Sequence, residues 1–501
     1  IDFVLRIFRG FDKSNVDKLP INIKKIYDKE MQRREITNAL LEYGPTQESE
    51  VLWKHQQLGR EIAAVNPKFA FFFDTRTGKT PMSLQIIADD LEQNPQHKWL
   101  IICPLINIEN TWLIEANKFF PDLEIVNLYG KTRHDRLIQF QKKANIYIMN
   151  TEAFVRYLPQ ILALKIHGCI IDESSTMKSP SSDFSKAIVE YSSKLKRLYL
   201  LSGTPAPNGE WEYYRQLQSI DYYGVHQSFN QFKQYFFINM SKNPQYDKLH
   251  LRSDKKEEFL FLLRKYSLYV NKEDVLDTPG REFIEVNLDM PTELKEHYEH
   301  LRKKLYIKLG DNVIITSPST AANLNKLNQV TSGFIIDTDS EETYLLSTYR
   351  FEKLKELLNQ LGDKQAIIWC NYRKEFEIIK EYLKENCGLV YGGVDIKQKT
   401  AVITDFKKGN IQYLVANPAS ADKGLTLTNT HIAIYFSLNY SYELFKQSME
   451  RIYGDKKIQP NKCLYYIFIA KGTVDRVIYR TVMNKGDMSS AVLEHLKGGG
   501  I

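Results

Sequence analysis

The sequence predicts an α/β chain of two tandem parallel-sheet lobes, with a helical insertion between them and a small N-terminal extension. Two sets of short apolar runs carry this expectation. The first is Ala70–Phe73, Trp99–Cys103, Ile146–Met149, Cys169–Asp172 and Leu198–Leu201; the second is Ala366–Trp369, Leu389–Tyr391, Tyr413–Ala416, Ile432–Phe436 and Leu464–Ile469. None alternates with polar residues and helix-length stretches separate them, the pattern of strands buried on both faces by flanking helices. Between the sets, residues 212–345 carry charged amphipathic stretches, 255–269 and 291–309 among them, and are expected to be helical. The expected boundaries are 1–48 for an N-terminal accessory region, 49–211 for the first lobe, 212–345 for helical protrusions and linker, 346–490 for the second lobe and 491–501 for a tail.

Each lobe has the strand content of a RecA-like domain. With 501 residues and 43% hydrophobic content the chain has ample material for packed cores. No stretch approaches the roughly 18 apolar residues of a membrane span, and the opening Ile1–Arg6 lacks the features of a signal peptide. Cys103, Cys169, Cys370, Cys387 and Cys463 have no C-x-x-C spacing, so neither a zinc site nor a disulfide framework is indicated. Their apolar surroundings predict burial in strands and a reducing cytoplasm. A first residue other than Met is expected of a trimmed or processed chain.

The most informative run is Phe71-Phe72-Phe73-Asp74-Thr75-Arg76-Thr77-Gly78-Lys79-Thr80, an apolar strand leading into Gly-Lys-Thr and a helix-compatible segment. Backbone N–H groups of such a loop wrap phosphates, Lys79 neutralises the β and γ oxygens, and the Thr80 hydroxyl can sit on Mg²⁺ at the helix N-terminus. The full pattern wants glycine five residues before Gly78, where Phe73 stands, so a magnesium carboxylate from a second strand is required as support. Gly168-Cys169-Ile170-Ile171-Asp172-Glu173-Ser174-Ser175 supplies it: Asp172 can hold Mg²⁺ and Glu173 can orient and deprotonate an attacking water. Leu198-Tyr199-Leu200-Leu201-Ser202-Gly203-Thr204-Pro205 repeats the strand followed by a small polar turn. Together these turns read as a nucleoside triphosphatase.

In order and spacing the set resembles helicase superfamily 2, in its Swi/Snf-like branch of double-stranded-DNA translocases and in a compact, phage-type form, from about residue 50 to about residue 485. His55-Gln56 resembles the adenine-reading glutamine element, Asp74–Thr80 motif I, Ile102-Cys103-Pro104-Leu105 motif Ia and Asn150-Thr151-Glu152 motif Ib. Asp172–Ser175 is similar to the Asp-Glu-x-His box, with serine in place of histidine, and Ser202–Pro205 to motif III. Farther on, Ile367–Cys370 is similar to motif IV, residues 421–427 to motif V and Gln447–Arg451 to the start of motif VI. Asn271–Pro279 resembles the family's exit from the first lobe.

The resemblance implies ATP and Mg²⁺ as cofactors. It implies nucleotide contacts from His55, Gln56, Thr75, Arg76, Thr77, Gly78, Lys79, Thr80 and Gly424, metal held by Thr80 and Asp172, and catalysis by Lys79, Asp172, Glu173 and Arg451. DNA contacts, made to sugar and phosphate without reading sequence, are implied at Asn107, Thr151, Asn371 and Thr426. The implied partner is duplex or branched DNA; replication or recombination proteins are candidate partners, no membrane is involved, and a monomer in the cytoplasm of a bacterial or phage-infected cell is expected. Fork remodelling, branch migration and unwinding share such a motor.

One departure bears on turnover. Family members carry a second arginine three residues after the first in motif VI, as the finger on the γ-phosphate, and here that position is Gly454. A missing finger costs a factor of about 10³ to 10⁵ on the usual scale. Three explanations stand open: Lys456 or Lys457 substitutes, Arg451 serves both roles, or the chain binds ATP without readily hydrolysing it. An ATP-gated DNA-binding module is therefore the first alternative and the motor of a restriction or defence system the second, although no Asp…Glu-x-Lys nuclease core stands outside the motor.

The formal charge of +7 is a modest basic excess. Lysines and arginines concentrate at 131–143, 255–272 and 302–308, each mixed with acids or aromatics. A solvated helix face explains any one cluster; beside a translocase motor they point to a DNA track.

Overall fold

The computed structural model describes residues 21–130, 132–222, 224–225, 228–240, 249–309, 313–316, 320–420 and 426–484. These divide into two compact units between Val275 and Leu276.

In the first unit the strands are β1 (Lys68–Phe73), β2 (Trp99–Cys103), β3 (Ile125–Asn127), β4 (Ile146–Asn150), β5 (Gly168–Asp172) and β6 (Arg197–Leu201), followed by a short antiparallel pair, β7 (Phe237–Asn239) with β8 (Leu249–Leu251), and by β9 (Ser267–Val270). The main sheet has the order β3-β4-β2-β5-β6-β1-β9, every pair parallel. Side chains alternate across its plane. Phe69, Phe71 and Phe73 pack on one face with Met82 and Ile87 of the helix Lys79–Gln93, while Ala70 and Phe72 pack on the other with Ile188, Leu217 and Leu263 from the helices there. Two buried faces are why these strands show no polar alternation. Because all run parallel, the chain turns after β1, β5 and β6 gather along one edge, which brings Asp74, Asp172 and Ser202 into the same neighbourhood.

The second unit holds β10 (Arg281–Leu288), two antiparallel pairs, β11 (Tyr306–Leu309) with β12 (Val313–Thr316) and β13 (Phe334–Ile336) with β14 (Thr343–Leu345), and then β15 (Ala366–Trp369), β16 (Cys387–Val390), β17 (Tyr413–Ala416), β18 (Ile432–Tyr435) and β19 (Cys463–Ala470). Its sheet, β10-β19-β18-β15-β17-β16, is also all parallel. Ile367 and Trp369 face one core, and Ala366, Ile368 and Cys370 the other. The α/β class with two parallel-sheet lobes is thus as expected.

Residues 212–345 are helical in part. Helices form over Lys256–Tyr266 and Thr292–Lys304, within the two stretches expected to be helical, but Ser267-Leu268-Tyr269-Val270 pairs with β1. In β10, an edge strand, Glu282 and Glu285 form ion pairs with Lys462 (2.8 Å) and Arg476 (2.6 Å). All five cysteines are free and buried. Among the described residues no helix is long and apolar enough to cross a membrane.

A buried ion pair fastens the second unit. Arg350, 1% exposed, places Nη2 2.9 Å from Asp475 Oδ2, and its guanidinium also donates to the carbonyls of Thr331 (2.9 Å) and Phe468 (3.0 Å). Removing one member strands the other charge in the core, at a cost of about 3–5 kcal/mol. Arg350→Met is therefore expected to lower the stability of this unit by about that amount, read as a fall in denaturation midpoint at unchanged slope.

Candidate nucleotide site

The phosphate loop spans 74–80 and is shaped by two residues in the left-handed region, Arg76 (φ 64°) and Gly78 (φ 78°). Gly78 caps the helix Lys79–Gln93. A side chain at Gly78 would be strained by its φ and would displace the Gln56 amide, whose Nε2 lies 1.7 Å from where a Cβ would stand. That closeness reflects how the glutamine element is used here. Gln56 Nε2 donates to the carbonyls of Thr77 (3.1 Å) and Gly78 (3.3 Å), and its Oε1 accepts from Trp53 N (2.9 Å). His55 Nε2 donates to Thr77 O at 2.7 Å; burial holds its imidazole below the ordinary histidine pKa, so it stays neutral. Thr77 Oγ1 donates to Asp74 O at 2.7 Å. His55 and Gln56 thus hold the loop's backbone.

Lys79 Nζ donates to Phe73 O (2.9 Å) and Asp74 O (3.2 Å), a folded-back position at the mouth of the loop. Asp172, 6% exposed, is held by three donors: Asn107 Nδ2 (3.2 Å) and Trp112 Nε1 (3.0 Å) on Oδ2, and the Glu173 amide (3.0 Å) on Oδ1. Glu173 itself adopts left-handed φ,ψ of 54° and 55°, a costly conformation for a residue with a Cβ and one that concentrates at functional sites. The next two residues are serines, the second at the position of the box's missing histidine. Ser174 Oγ donates to Gln216 Oε1 (2.8 Å) and Gln216 Nε2 to Pro205 O (2.8 Å), linking the carboxylate turn to the Ser202–Pro205 turn. Ser175 Oγ is buried with no partner among the described residues.

Three site residues escaped the sequence reading. Trp112 lies in a π-helical stretch, Ile108–Leu113, of a kind frequent at functional sites. Glu115 accepts from the Thr80 hydroxyl; burial, joined by the negative charge of Asp172, pushes its carboxyl up to about 7. A tryptophan and a glutamate three residues apart share a helix face, and that was the available signal. Lys272, 1% exposed, donates its backbone N–H to Asp74 Oδ2 (3.2 Å) and its amine to Thr75 Oγ1 (3.3 Å), tying the end of β9 to the loop.

The first unit therefore brings together His55, Gln56, Thr75, Arg76, Thr77, Gly78, Lys79, Thr80, Asp172 and Glu173. Asn107 joins them with its amide turned inward to Asp172 rather than outward. Thr151, half-buried, donates to Cys103 O at 3.4 Å. In the second unit Asn371 sits in a polar cluster beyond β15, bonded to Ser437 (3.0 Å) and Asn439 (3.0 Å). Thr426 is half-buried, and the buried Arg451 accepts the Leu427 N–H at its carbonyl (2.8 Å). Gly424 lies outside the described residues. Lys456 is ion-paired to Asp277 (2.7 Å) and Lys457 is exposed. The clustered hydroxyl, carboxylates and amine suit a hard cation with a polyphosphate: Thr80 and Asp172 supply oxygens, and Lys79 the positive charge.

Trp112→Phe keeps the ring and removes one donor from Asp172. The expected result is a raised Mg²⁺ requirement for ATP turnover by several-fold, read from magnesium titrations at saturating ATP, with little change in thermal stability.

A phosphate loop at the carboxyl edge of one parallel sheet, followed by a second parallel-sheet unit, defines a helicase-type motor. The chain belongs to the SNF2-related family: the SNF2-related domain matches residues 70–344, and the helicase conserved C-terminal domain matches residues 349–454. Among curated relatives it is 23% identical over 436 residues to protein p41 of Acyrthosiphon pisum secondary endosymbiont phage 1, covering 84% of this chain and 93% of that protein. It is also 23% identical over 429 residues to the SWI/SNF-related matrix-associated actin-dependent regulator of chromatin subfamily A-like protein 1 of Drosophila melanogaster, covering 83% of this chain and 52% of that protein. The chain thus spans about half the length of the Drosophila relative. Among solved structures, the Sulfolobus solfataricus SWI2/SNF2 ATPase core in complex with dsDNA is 20% identical, covers 90% of this chain and 93% of that chain, and has a TM-score of 0.38.

Proposed function

We propose that this chain is an ATP-dependent translocase on duplex or branched DNA, of the kind that serves fork remodelling, branch migration or unwinding. The observation that carries the reading is the meeting of the Lys79 loop with Asp172 and Glu173 at one sheet edge, in a chain of the SNF2-related family. In this reading Lys79 leaves the carbonyls of Phe73 and Asp74 for the β and γ phosphates of ATP. Thr80 and Asp172 hold Mg²⁺, which when bound neutralises the developing phosphate charge. Glu173 takes the proton of the attacking water. His55 and Gln56 act through the loop backbone, and Thr75, Arg76, Thr77, Gly78 and Gly424 complete the nucleotide contacts. Arg451 supplies positive charge from the second unit. Thr151, Asn371 and Thr426 grip the DNA backbone through hydroxyl and amide groups; Asn107 acts on Asp172 and joins the grip through its backbone. Alternating grip between ATP-bound and product states then moves the chain along DNA. The working form is a monomer in the cytoplasm, with replication or recombination proteins as partners.

Gly454 favours a second reading, a DNA-binding module that closes on ATP with little turnover. Lys456 offers a route around it, since an exposed pair such as that with Asp277 is worth only about 0–1 kcal/mol and releases readily. Displacement of a third strand from a linear triplex separates the readings. ATP-dependent release is expected of the translocase, and release that is absent or independent of ATP would overturn it.

A further inference from the structure

At the opposite end of the first unit's sheet, three residues meet that the nucleotide site does not use. Asp90 lies near the end of the helix Lys79–Gln93, His97 precedes β2, and His167 precedes β5; the parallel register pairs Trp99 with Gly168 and so sets the two histidines side by side. Their rings stack with centroids 3.5 Å apart and planes within 13°. His97 Nδ1 lies 3.0 Å from Asp90 Oδ2, and one ligand atom from each of the three residues lies within 4.8 Å of the others.

We propose that Asp90, His97 and His167 form a zinc site. Two imidazoles and one carboxylate are a borderline-soft donor set that Zn²⁺ binds well; donors up to 4.8 Å apart would close to the roughly 3.5 Å that tetrahedral bonds of about 2.0–2.2 Å span, and the His97–His167 ring stack would open as they do. The outer partners are those a metal carboxylate needs. Trp99 Nε1 donates to Asp90 Oδ2 at 2.8 Å, and Arg197 Nε approaches Oδ1 at 3.5 Å while its Nη1 is held by Ala63 O (3.2 Å) and the Tyr199 hydroxyl (3.1 Å). The His167 backbone is fixed as well, its N–H donating to Lys98 O (2.8 Å) and its carbonyl accepting from Arg197 N (3.2 Å). Asp90 is buried, whereas both histidines are partly exposed, which leaves water access for the remaining coordination positions. Binding would exchange the His97–Asp90 hydrogen bond for two metal bonds, with the His97 ring proton carried on Nε2.

The position gives the site a purpose. The helix that starts at Lys79 ends beside Asp90, roughly 16 Å away at 1.5 Å per residue, and β2 and β5 lead to Asn107 and Asp172 respectively. A metal here clips together, at their base, the three elements that carry the nucleotide half-site.

The test is calorimetric titration of Zn²⁺ into the EDTA-treated full chain, without nucleotide and with excess Mg²⁺. One saturable site is expected, together with a rise in thermal midpoint on Zn²⁺ addition. In His97→Ala/His167→Ala both effects are expected to disappear, and in Asp90→Asn the affinity falls at least tenfold. X-ray absorption of the unmutated zinc-loaded chain is expected to show nitrogen and oxygen ligands with imidazole scattering. No saturable binding, equal binding by the double variant, or sulfur coordination would each overturn the proposal and leave a hydrogen-bonded Asp–His–Trp cluster.

Discussion

Lys79→Ala is expected to abolish ATP turnover while leaving DNA affinity nearly unchanged. Lys79 Nζ lies at the start of the loop, on Phe73 O and Asp74 O. Its removal deletes the positive charge nearest the bound phosphates without touching the turns of Thr151, Asn371 or Thr426. The fold should survive, because the loop keeps its braces: Thr77 on Asp74, His55 and Gln56 on Thr77, and Lys272 on Thr75. Steady-state hydrolysis and fluorescence-anisotropy DNA binding on one preparation check both halves. Full activity in the variant would refute the assignment of the site.

Glu173→Gln is expected to slow turnover by about 10² to 10⁴, the usual worth of a general base, while ATP binding persists. The isosteric amide keeps the left-handed backbone at 173 and the amide donated to Asp172 Oδ1, so metal binding is preserved. Asp172→Asn, by contrast, alters a carboxylate with three donors on it and is expected to weaken the Mg²⁺-dependent binding of ATP as well. A Glu173→Gln variant that failed to bind ATP would assign this carboxylate to binding rather than to proton transfer.

The strands of both sheets were legible because burial on two faces writes itself as an uninterrupted apolar run. Ala366–Trp369 and Trp99–Cys103 coincide with observed strands, and others differ by one or two residues at their ends. Of the four strands at the edges of the two main sheets, β16 was legible and three were not: β3 is only three residues long, β9 follows a helix without a break, and β10 alternates charge with apolar residues, because its outer side meets solvent and its acids meet Lys462 and Arg476. At the proposed site, Lys79, Asp172 and Glu173 stand out in the sequence because glycine, lysine and paired carboxylates at strand ends have few other uses in combination. Trp112 and Glu115 were hidden among residues that also serve as ordinary helix packing, and Lys272 among residues of a charged linker. Only the register of distant strands brings these three to the loop and to Asp172.

On the proposed function, ATP is turned over at this half-site under the control of duplex DNA. The steady-state ATPase rate of the unmodified chain, titrated with linear duplex, forked DNA, single-stranded DNA and RNA, tests this reading. A low basal rate raised most by duplex or forked DNA is expected. A rate that stays at baseline on every DNA despite measured ATP binding, or one raised most by RNA, would contradict it.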